Sequence, residues 1–344
     1  MTDEAKPLPQ GNHLWVKDIK EDDIVDGLYL VKTKRLGQTK NGAPFLSLTL
    51  SDRTGDIETR AWDRADELAS LFSEGDIVNV NGKAGTYRNQ VQLTISGLSL
   101  SNEGDPALFL ETSPCNIAEM IGEMKKIIKK VNDPDVRKLL NSFISDHDFT
   151  QNFKEAPAAK NFHHGYIGGL LEHTLSVCRL AVNICELYPE LDEDLLIAGA
   201  FLHDIGKIRE FTFDRTIDYS SEGRLLGHLV LGVSMLEEKL RVLKKFPVET
   251  ALYLKHMILS HHGEYEFGSP KRPKFLEAFV LHLIDDLDAK MNGISRIISK
   301  DSRDGAWTEF NRMFERYLLK ERLTGSEEEN DRDPVPDNRQ KALF

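Results

Sequence analysis

Residues 196–207 read LIAGAFLHDIGK, an apolar helical run that ends in an imidazole next to a carboxylate. Gly206 follows directly and is a plausible helix stop, because glycine readily adopts the backbone conformations found at helix C-termini. A helix that ends at this point can direct His203 and Asp204 into one pocket. The stretch therefore predicts a helical domain with a cation site at its centre.

Helical periodicity extends on both sides of this stretch. From Asn116 to roughly Leu323, apolar residues recur at intervals of three and four, for example in IAEMIGEMKKIIKKV and LLEHTLSVCRLAVNICELY. We therefore expect an all-α domain over residues 116–323. The tail 324–344 is charged, contains proline and has no apolar spacing, which is typical of a disordered end.

The N-terminal part of the chain has a strand-like pattern instead. Between residues 14 and 100, five β-rich runs are separated by turn signals such as Asn41-Gly42 and Thr54-Gly55. A helix-favouring stretch, residues 65–72, stands between the third and fourth runs, where a five-stranded OB-fold commonly carries its helix. We expect an all-β OB-fold barrel over residues 14–100, with a tail (1–13) before it and a linker (101–115) after it.

The composition limits the classes of function. A net charge of −12 disfavours indiscriminate duplex binding, which needs a broad basic surface to displace phosphate counterions. Cys115, Cys178 and Cys185 form no CxxC pair, so neither a disulfide framework nor a zinc ribbon is expected. The chain lacks an apolar run of about 20 residues, and its N-terminus lacks a signal-peptide layout, so we expect a cytoplasmic protein without a membrane partner.

Histidines concentrate in the helical part of the chain. Nine of the eleven lie between residues 163 and 282, many beside glycine or acidic residues at apparent helix ends. A lone histidine on an apolar face, such as His173, would more often be a core residue, but random placement explains the whole cluster poorly. Imidazole and carboxylate together suit transition metals or Mn²⁺, whereas Mg²⁺ prefers carboxylate and water and is the second choice.

Such a cluster suits the hydrolysis of phosphodiesters. A phosphodiester resists attack because it is anionic, and two cations a few ångströms apart neutralise it and activate a water molecule as the nucleophile. No strong GxSxG, GxxxxGK or HExxH pattern offers a competing chemistry in this sequence. The expected class is a metal-dependent phosphohydrolase.

The order His173, His203-Asp204, Asp285 resembles the HD-domain superfamily of metal-dependent phosphohydrolases. More narrowly, residues 14–319 are similar to the YhaM-like 3′-5′ exoribonucleases. The similarity rests on the preceding barrel and on the segments HHGYIGGLLEHT (163–174), FLHDIGK (201–207), GHLVLG (227–232), LSHHGEYEFGSP (259–270) and DDLDAKM (285–291).

The resemblance implies a ligand set. One metal would be held by His173, His203, Asp204 and Asp285, and Asp204 would bridge to a second metal held by His228, His261 and His262. Asp285 is preferred because the HD pattern places its last aspartate three residues before an Asp-Ala pair; Asp286 and Asp288 could orient imidazoles instead. Two divalent ions are implied, with Mn²⁺ first and Fe, Co or Mg²⁺ as alternatives.

Several side chains near these ligands are candidates for contact with substrate. Lys207 would emerge beside the metals and pair with a phosphate, which makes it a catalytic candidate with Asp204; the alternative is a solvated lysine. Lys160, His163 and His164 could bind phosphate or base. Two residues stay undecided: Glu172 is a variant metal ligand or an exposed carboxylate, and His256 could belong to the core.

The barrel offers aromatic and basic side chains that could bind a single strand by stacking and charge. The candidates are Tyr29, Lys32, Lys34, Arg35, Phe45, Arg60, Trp62, Tyr87 and Arg88, although Phe45 and Trp62 could equally fill the barrel. Residues 11–100 contain 11 basic and 13 acidic residues, which predicts weak, salt-sensitive affinity. Such affinity suits an exonuclease that must release and re-grip its strand.

We therefore expect the barrel to feed a single-stranded 3′ end to the metals, where activated water releases nucleoside 5′-monophosphates. RNA is favoured over DNA by the resemblance alone. One alternative is a phosphohydrolase of cyclic dinucleotides or nucleotides, and another is a non-catalytic nucleic-acid-binding protein. Assembly of several copies is also possible.

Overall fold

A closed barrel forms the N-terminal part of the computed structural model, which describes residues 13–39, 41–87, 90–101, 108–160, 162–213, 216–301 and 303–321. Its strands are β1 (Ile24–Gln38), β2 (Pro44–Asp52), β3 (Gly55–Ala61), β4 (Ile77–Tyr87) and β5 (Gln90–Ser101). They close in the order β1-β2-β3-β5-β4, and every pairing is antiparallel except the parallel one between β3 and β5.

Alternation of side chains explains how these strands enclose a core. Leu46, Leu48 and Leu50 of β2 have no exposed surface, because every second residue of a strand points to the same face. Helix α1 (Ala65–Ser70) lies between β3 and β4 and buries Ala65 and Leu68 against the barrel. The strand order and the position of this helix confirm the predicted OB-fold.

The described part of the predicted linker packs against both domains. Leu108 and Phe109 are buried with Leu30 and Ile77 of the barrel. Glu111 accepts hydrogen bonds from Arg296, at 2.5 Å, and from Lys300, near the end of the last helix. These contacts hold the chain between the two domains; residues 102–107 lie outside the described ranges.

The C-terminal domain is helical, as predicted. Its helices are α2 (Ile117–Lys130), α3 (Pro134–Ile144), α4 (His147–Glu155), α5 (Gly169–Leu187), α6 (Glu193–Leu202), α7 (Lys207–Glu210), α8 (Ser221–Leu243), α9 (Val248–Ser260) and α10 (Leu276–Lys300). Several begin with a side chain that accepts backbone N–H groups, namely Asn116, Asp133, Asp146, Asp192 and Ser220. Such caps satisfy donors that the first turn of a helix leaves unpaired.

Helix α6 occupies the middle of this domain. Residues 195–202 are all buried, so the helix has no solvent-facing side. Helices α3, α5, α9 and α10 pack around it. The C-terminal end of α6, which carries His203 and Asp204, is therefore enclosed by the domain. None of the described helices combines the length and the hydropathy needed to cross a bilayer.

Two details differ from the expected all-α domain over 116–323. Two short strands, β6 (Phe211–Thr212) and β7 (Asp218–Tyr219), pair with each other between α7 and α8. Helix α10 ends at Lys300, and residues 303–321 form turns and isolated bridges rather than a helix. The chain turns there because the Asp301 carboxylate accepts from the Arg303 N–H and from Lys320 Nζ. The predicted tails lie almost wholly outside the described residues.

Candidate metal centre

Five helices bring the predicted ligands together. His203 and Asp204 follow the last turn of α6, His173 lies on α5, His228 on α8, the His261-His262 pair ends α9, and Asp285 lies in the middle of α10. His173, His203, Asp204 and His261 are at most 1% exposed. The structure thus places all seven predicted ligands around one buried point.

Asp204 stands at the centre of the cluster. Its Oδ2 lies 3.5 Å from His173 Nε2 and 3.4 Å from His203 Nε2. Its Oδ1 lies 3.6 Å from His228 Nε2 and 3.5 Å from His261 Nε2, and it is buried with no hydrogen-bond partner among the described residues. The carboxylate therefore divides the other ligands into two groups, one on each oxygen.

Each group is completed by one further side chain. Asp285 Oδ1 lies 3.1 Å from His173 Nε2, and His262 Nε2 lies 3.2 Å from His228 Nε2. Donor atoms that share one cation at about 2.0–2.2 Å lie roughly 3–3.5 Å from one another. The spacing within both groups fits this requirement, and the unpaired Oδ1 of Asp204 is an acceptor that a cation would satisfy.

The histidine rings are held so that Nε2 faces the centre. Each Nδ1 donates a hydrogen bond to an acceptor outside it, at 2.7–3.1 Å: His173 to Asp288, His203 to the Ala200 carbonyl, His228 to Glu210, His261 to the Ile258 carbonyl and His262 to the Phe267 carbonyl. Such bonds set the tautomer and the orientation that a metal-binding imidazole needs. Glu210 was not among the sequence candidates, because its distance in sequence from His228 shows no regular spacing.

Asp288 forms a supporting layer behind His173. Besides His173 it accepts from Ser176 Oγ and from His164 Nε2, the latter at 3.0 Å. The predicted substrate role of His164 is therefore wrong: its ring is buried and also bonds Tyr166, because a left-handed backbone (φ 46°) turns it away from the centre. Asp286 pairs with Lys290 rather than with an imidazole.

Charge in the centre is balanced between carboxylates and cations of the chain. Burial alone would raise the pKa of Asp204, but the charges of Lys207 and His203 hold that pKa well below its usual value. Burial alone would lower the pKa of His173, but hydrogen bonds with Asp204, Asp285 and Asp288 raise that pKa well above 6.5. A metal cation would replace the proton of His173 in compensating these carboxylates.

Burial favours the neutral form of two of the outer imidazoles, and metal binding also requires that form. Burial lowers the pKa of His261, and it lowers the pKa of His262 to about 3. One group of ligands then offers two imidazoles and two carboxylates, and the other offers three imidazoles and the shared Asp204. This mixture suits Mn²⁺, Fe²⁺ or Co²⁺ better than Mg²⁺.

A pocket of about 220 Å³ opens onto the centre. It is lined by His163, Lys207, His261, His262, Phe267, His282, Asp285, Asp286 and Ala289. Lys207 Nζ lies 2.6 Å from Asp204 Oδ2, and the Nδ1 of His163 is buried with no partner among the described residues. Both side chains thus lie where the sequence placed them, whereas Phe267, which is 64% exposed, was missed. Its only signal was an aromatic residue five positions after His262.

Two glycines shape the frame of the centre. Gly206 is not the expected helix stop: its φ of −62° is helical, and a Cβ there would lie 2.0 Å from the His228 carbonyl oxygen. It therefore permits the close approach of α7 and α8. Gly227 has a φ of 71° and kinks α8, which lets the next residue bond Glu210 through both its N–H and its ring.

Three other lysines predicted to bind substrate lie outside the metal pocket. Lys160 Nζ bonds Asp218, at 2.8 Å, in a groove of about 530 Å³ between the two domains, away from the metal pocket. Lys32 lines the same groove and pairs with Asp56. Lys34 Nζ donates to the carbonyls of Ala69 and Phe72, so it stabilises the end of α1 rather than facing solvent. The contacts within the fold therefore argue against a strand-binding role for Lys34 alone, and the roles of Lys32 and Lys160 stay predictions.

Only part of the predicted strand-binding set forms a cluster on the barrel. Trp62 is exposed and Phe45 is half-buried, their ring centroids lie 5.3 Å apart, and the Arg60 guanidinium lies over both rings. Tyr29 is wrong as a surface candidate, because it is 1% exposed and its hydroxyl donates to the Leu14 carbonyl. Arg35 and Tyr87 are exposed, and Arg88 lies outside the described residues.

Comparisons with known proteins give matches to both the helical domain and the barrel. The HD domain family matches residues 170–290, and the OB-fold nucleic acid binding domain family matches residues 30–100. The 3′-5′ exoribonuclease YhaM of Geobacillus sp. (strain WCH70) is 40% identical over 288 residues, which are 83% of this chain and 88% of that protein.

Two solved structures resemble the barrel alone. The second OB-fold domain of replication protein A from Methanococcus maripaludis is 18% identical, with a TM-score of 0.22, over 26% of this chain and 96% of its own. The mitochondrial single-stranded DNA binding protein Rim1 of S. cerevisiae is 13% identical, with a TM-score of 0.21, over 25% of this chain and 100% of its own.

Proposed function

The chain belongs to the YhaM family of 3′-5′ exoribonucleases and is a hydrolytic enzyme with an HD domain, and on that premise we propose that it shortens single-stranded RNA from the 3′ end and releases nucleoside 5′-monophosphates. The observation that carries the proposal is the division of ligands by Asp204, whose two oxygens face two separate groups of imidazole Nε2 atoms.

Two divalent cations, with Mn²⁺ first and Fe or Co as alternatives, would neutralise the phosphodiester and lower the pKa of an attacking water when bound. His173, His203 and Asp285 would hold one, His228, His261 and His262 the other, and Asp204 both. Lys207 Nζ, at the wall of the pocket, is placed to pair with a non-bridging phosphate oxygen as a point charge.

The shape of the pocket supports attack at a strand end. Its volume of about 220 Å³ is below the roughly 300–1,000 Å³ of typical small-molecule sites, so it admits little more than one sugar-phosphate unit. Phe267 stands exposed at its rim, where an aromatic face can stack on the base of that terminal nucleotide. His163 also lines the pocket and offers a buried Nδ1 that has no partner among the described residues.

The barrel would bind the strand upstream of the cut. The cluster of Phe45, Arg60 and Trp62 provides two rings and a guanidinium, which are the groups that hold single strands without reading sequence. RNA and DNA would stack equally well on these rings. The support for a preference for RNA is therefore the name of the relative.

The proposal is tested with 5′-labelled single-stranded RNA, matching DNA and a cyclic dinucleotide, each incubated with Mn²⁺-loaded protein. We expect a ladder shortened from the 3′ end of RNA, with 5′-monophosphates identified by chromatography. Asp204→Asn should lose at least a thousandfold in rate, whereas His147→Ala, a change at an exposed histidine of α4, should be silent.

Other outcomes separate the rival functions. Cleavage of the cyclic dinucleotide alone would move the activity to a small-molecule phosphodiesterase. Inertness on every substrate, at full occupancy of bound Mn²⁺, would contradict an enzymatic role. Products ending in 3′-phosphate would contradict the proposed direction of water attack.

A further inference from the structure

The solvent-facing side of α10 is apolar. Leu276, Phe279, Leu283, Leu287 and Met291, called the α10 stripe below, are each 48–61% exposed. A helix at the surface of a domain ordinarily turns charged residues outward. Helix α10 departs from this pattern, since Asp285 and Asp288 point inward to the metal centre, and Asp286 and Lys290 are partly exposed charges beside the apolar residues.

The stripe is separate from the residues that fix α10 to the domain. Ala278, Leu281 and Ile284 are buried in the helical core and account for the packing of α10 on α5, α6 and α9. Asp286 and Ala289 line the metal pocket along one edge of the stripe. The residues that fix α10 to the core are therefore different from those of the stripe.

The size of the stripe calls for a partner. Its ends, Leu276 and Met291, are 15 residues apart, or about 22 Å along the helix. At the observed exposures its five side chains leave an apolar patch on the order of 500 Å², and patches of that size on soluble proteins commonly mark interaction sites. The flanking charges, Lys290 and Asp286, pair with each other at 2.6 Å, so a partner that covers the stripe would leave neither charge without its counter-ion.

The spacing of the stripe indicates which partner. Phe279 and Leu287 lie four residues on either side of Leu283, and Leu276 and Met291 lie seven and eight residues away. A two-fold axis at Leu283 would place an antiparallel copy of α10 so that Phe279 meets Leu287 and Leu276 meets Met291. Interfaces between identical chains are usually self-complementary in this way.

We propose that the α10 stripe is the two-fold interface of a homodimer in which α10 packs antiparallel to α10 of a second copy. The stripe supplies more than half of the roughly 800 Å² that each partner buries in a stable complex. Because Asp286 and Ala289 border the stripe, the two metal pockets open on either side of the paired helices. This arrangement does not depend on which phosphodiester the centre cleaves.

Engineered cysteines test the register directly. In a Cys115→Ser background, which removes the exposed native thiol, we expect Leu283→Cys to form a disulfide dimer under mild oxidation. A mixture of Phe279→Cys protein with Leu287→Cys protein should cross-link into mixed dimers faster than either protein alone. Val242→Cys, at a position 77% exposed on α8, is the matched control and should not cross-link.

Sedimentation tests the dimer without a cross-link. The wild type should sediment at twice the 39.0 kDa of one chain. Leu283→Glu with Leu287→Glu should raise the dimer dissociation constant by roughly a hundredfold or more, because like charges would meet at the axis. Leu187→Glu with Val242→Glu alters two even more exposed residues elsewhere and should leave the dimer intact. Circular dichroism verifies that each variant is folded.

Three results would overturn the proposal. One is a wild type that stays monomeric at about 50 μM, above the dissociation constants of typical specific dimers. If the thiol of the Leu283→Cys variant also resists maleimide in such a monomer, another part of the same chain covers the stripe. The second result is a dimer whose dissociation constant does not change in the variant with Leu283→Glu and Leu287→Glu. The third is faster cross-linking of Phe279→Cys or Leu287→Cys with itself than with the other, which would indicate a parallel arrangement.

Discussion

Replacing Asp288 with asparagine should weaken metal binding without touching a ligand. The Asp288 carboxylate accepts from His173 Nδ1 at 2.7 Å, from His164 Nε2 at 3.0 Å and from Ser176 Oγ. An asparagine of the same shape keeps only one acceptor oxygen and removes a negative charge. His173 would then lose either its fixed orientation or the charge that raises the basicity of its ring.

The expected loss of metal affinity follows from the position of the Asp288 carboxylate behind a metal-binding histidine. Loss of a carboxylate behind a metal-binding histidine typically costs 10- to 100-fold in metal affinity, or about 1.4–2.7 kcal/mol. Since only one of the two ligand groups contains His173, we expect the loss in one of two binding steps. The rate at saturating Mn²⁺ should recover to within a few-fold of the wild type, because every ligand is retained.

Titration of the metal-free protein with Mn²⁺, by calorimetry and by rate, measures both quantities. Asp286→Asn is the matched control: it removes a carboxylate two residues away on the same helix, but one that pairs with Lys290 instead of an imidazole. Equal Mn²⁺ affinity in Asp288→Asn and the wild type would refute the reasoning. So would a large loss of rate that saturating Mn²⁺ does not restore, since that would make Asp288 part of the chemical step.

Four further changes have defined outcomes. Trp62→Ala should raise KM for a long RNA by roughly 5- to 150-fold, since stacking contributes about 1–3 kcal/mol per base, and leave a dinucleotide unaffected; equal effects on both substrates would exclude a role in strand binding. Phe267→Leu should reduce the preference for a normal over an abasic 3′ nucleotide by a similar factor, while Tyr265→Leu, a neighbour that does not line the pocket, should not. Gly206→Ala should destabilise the fold by about 1–3 kcal/mol in urea unfolding, because its Cβ would collide with the His228 carbonyl; an unchanged midpoint would contradict the close approach. Burial would raise the pKa of Glu111, but Lys300 and Arg296 lower it below 4.5, so Glu111→Gln should cost stability at neutral pH, and its difference from wild type should vanish as acid protonates Glu111 in the folded protein; a difference constant down to pH 3 would contradict this.

Local patterns in the sequence were sufficient to predict the two domain types. Leu46, Leu48 and Leu50 alternate in β2 because a strand repeats every two residues, and the runs around His203 repeat every three to four because a helix does. The chemical types of the ligands were also readable, since imidazole and carboxylate bind metals wherever the fold brings them together. The helical pattern lapses after Lys300, and the all-α domain predicted to reach residue 323 has no helix in residues 303–321.

Adjacent or similar residues were harder to tell apart. His163 and His164 are neighbours, yet a left-handed backbone at His164 turns one ring to Asp288 and leaves the other on the pocket wall. Lys34 and Arg60 both looked like strand-binding cations, but Lys34 reaches the carbonyls that end α1. Such differences depend on backbone direction and on partners distant in sequence, which periodicity does not contain.

His203 and Asp204 show where the boundary lies. Their residue types, and their place after an apolar helix, predicted from sequence alone a metal-binding pair inside a helical domain. Only the tertiary structure decided that the two oxygens of Asp204 face different sets of histidines, because those sets come from α5, α8 and α9, which no local pattern relates. The outward apolar side of α10 was likewise decided there, since a helix has an inside only when its neighbours are in place.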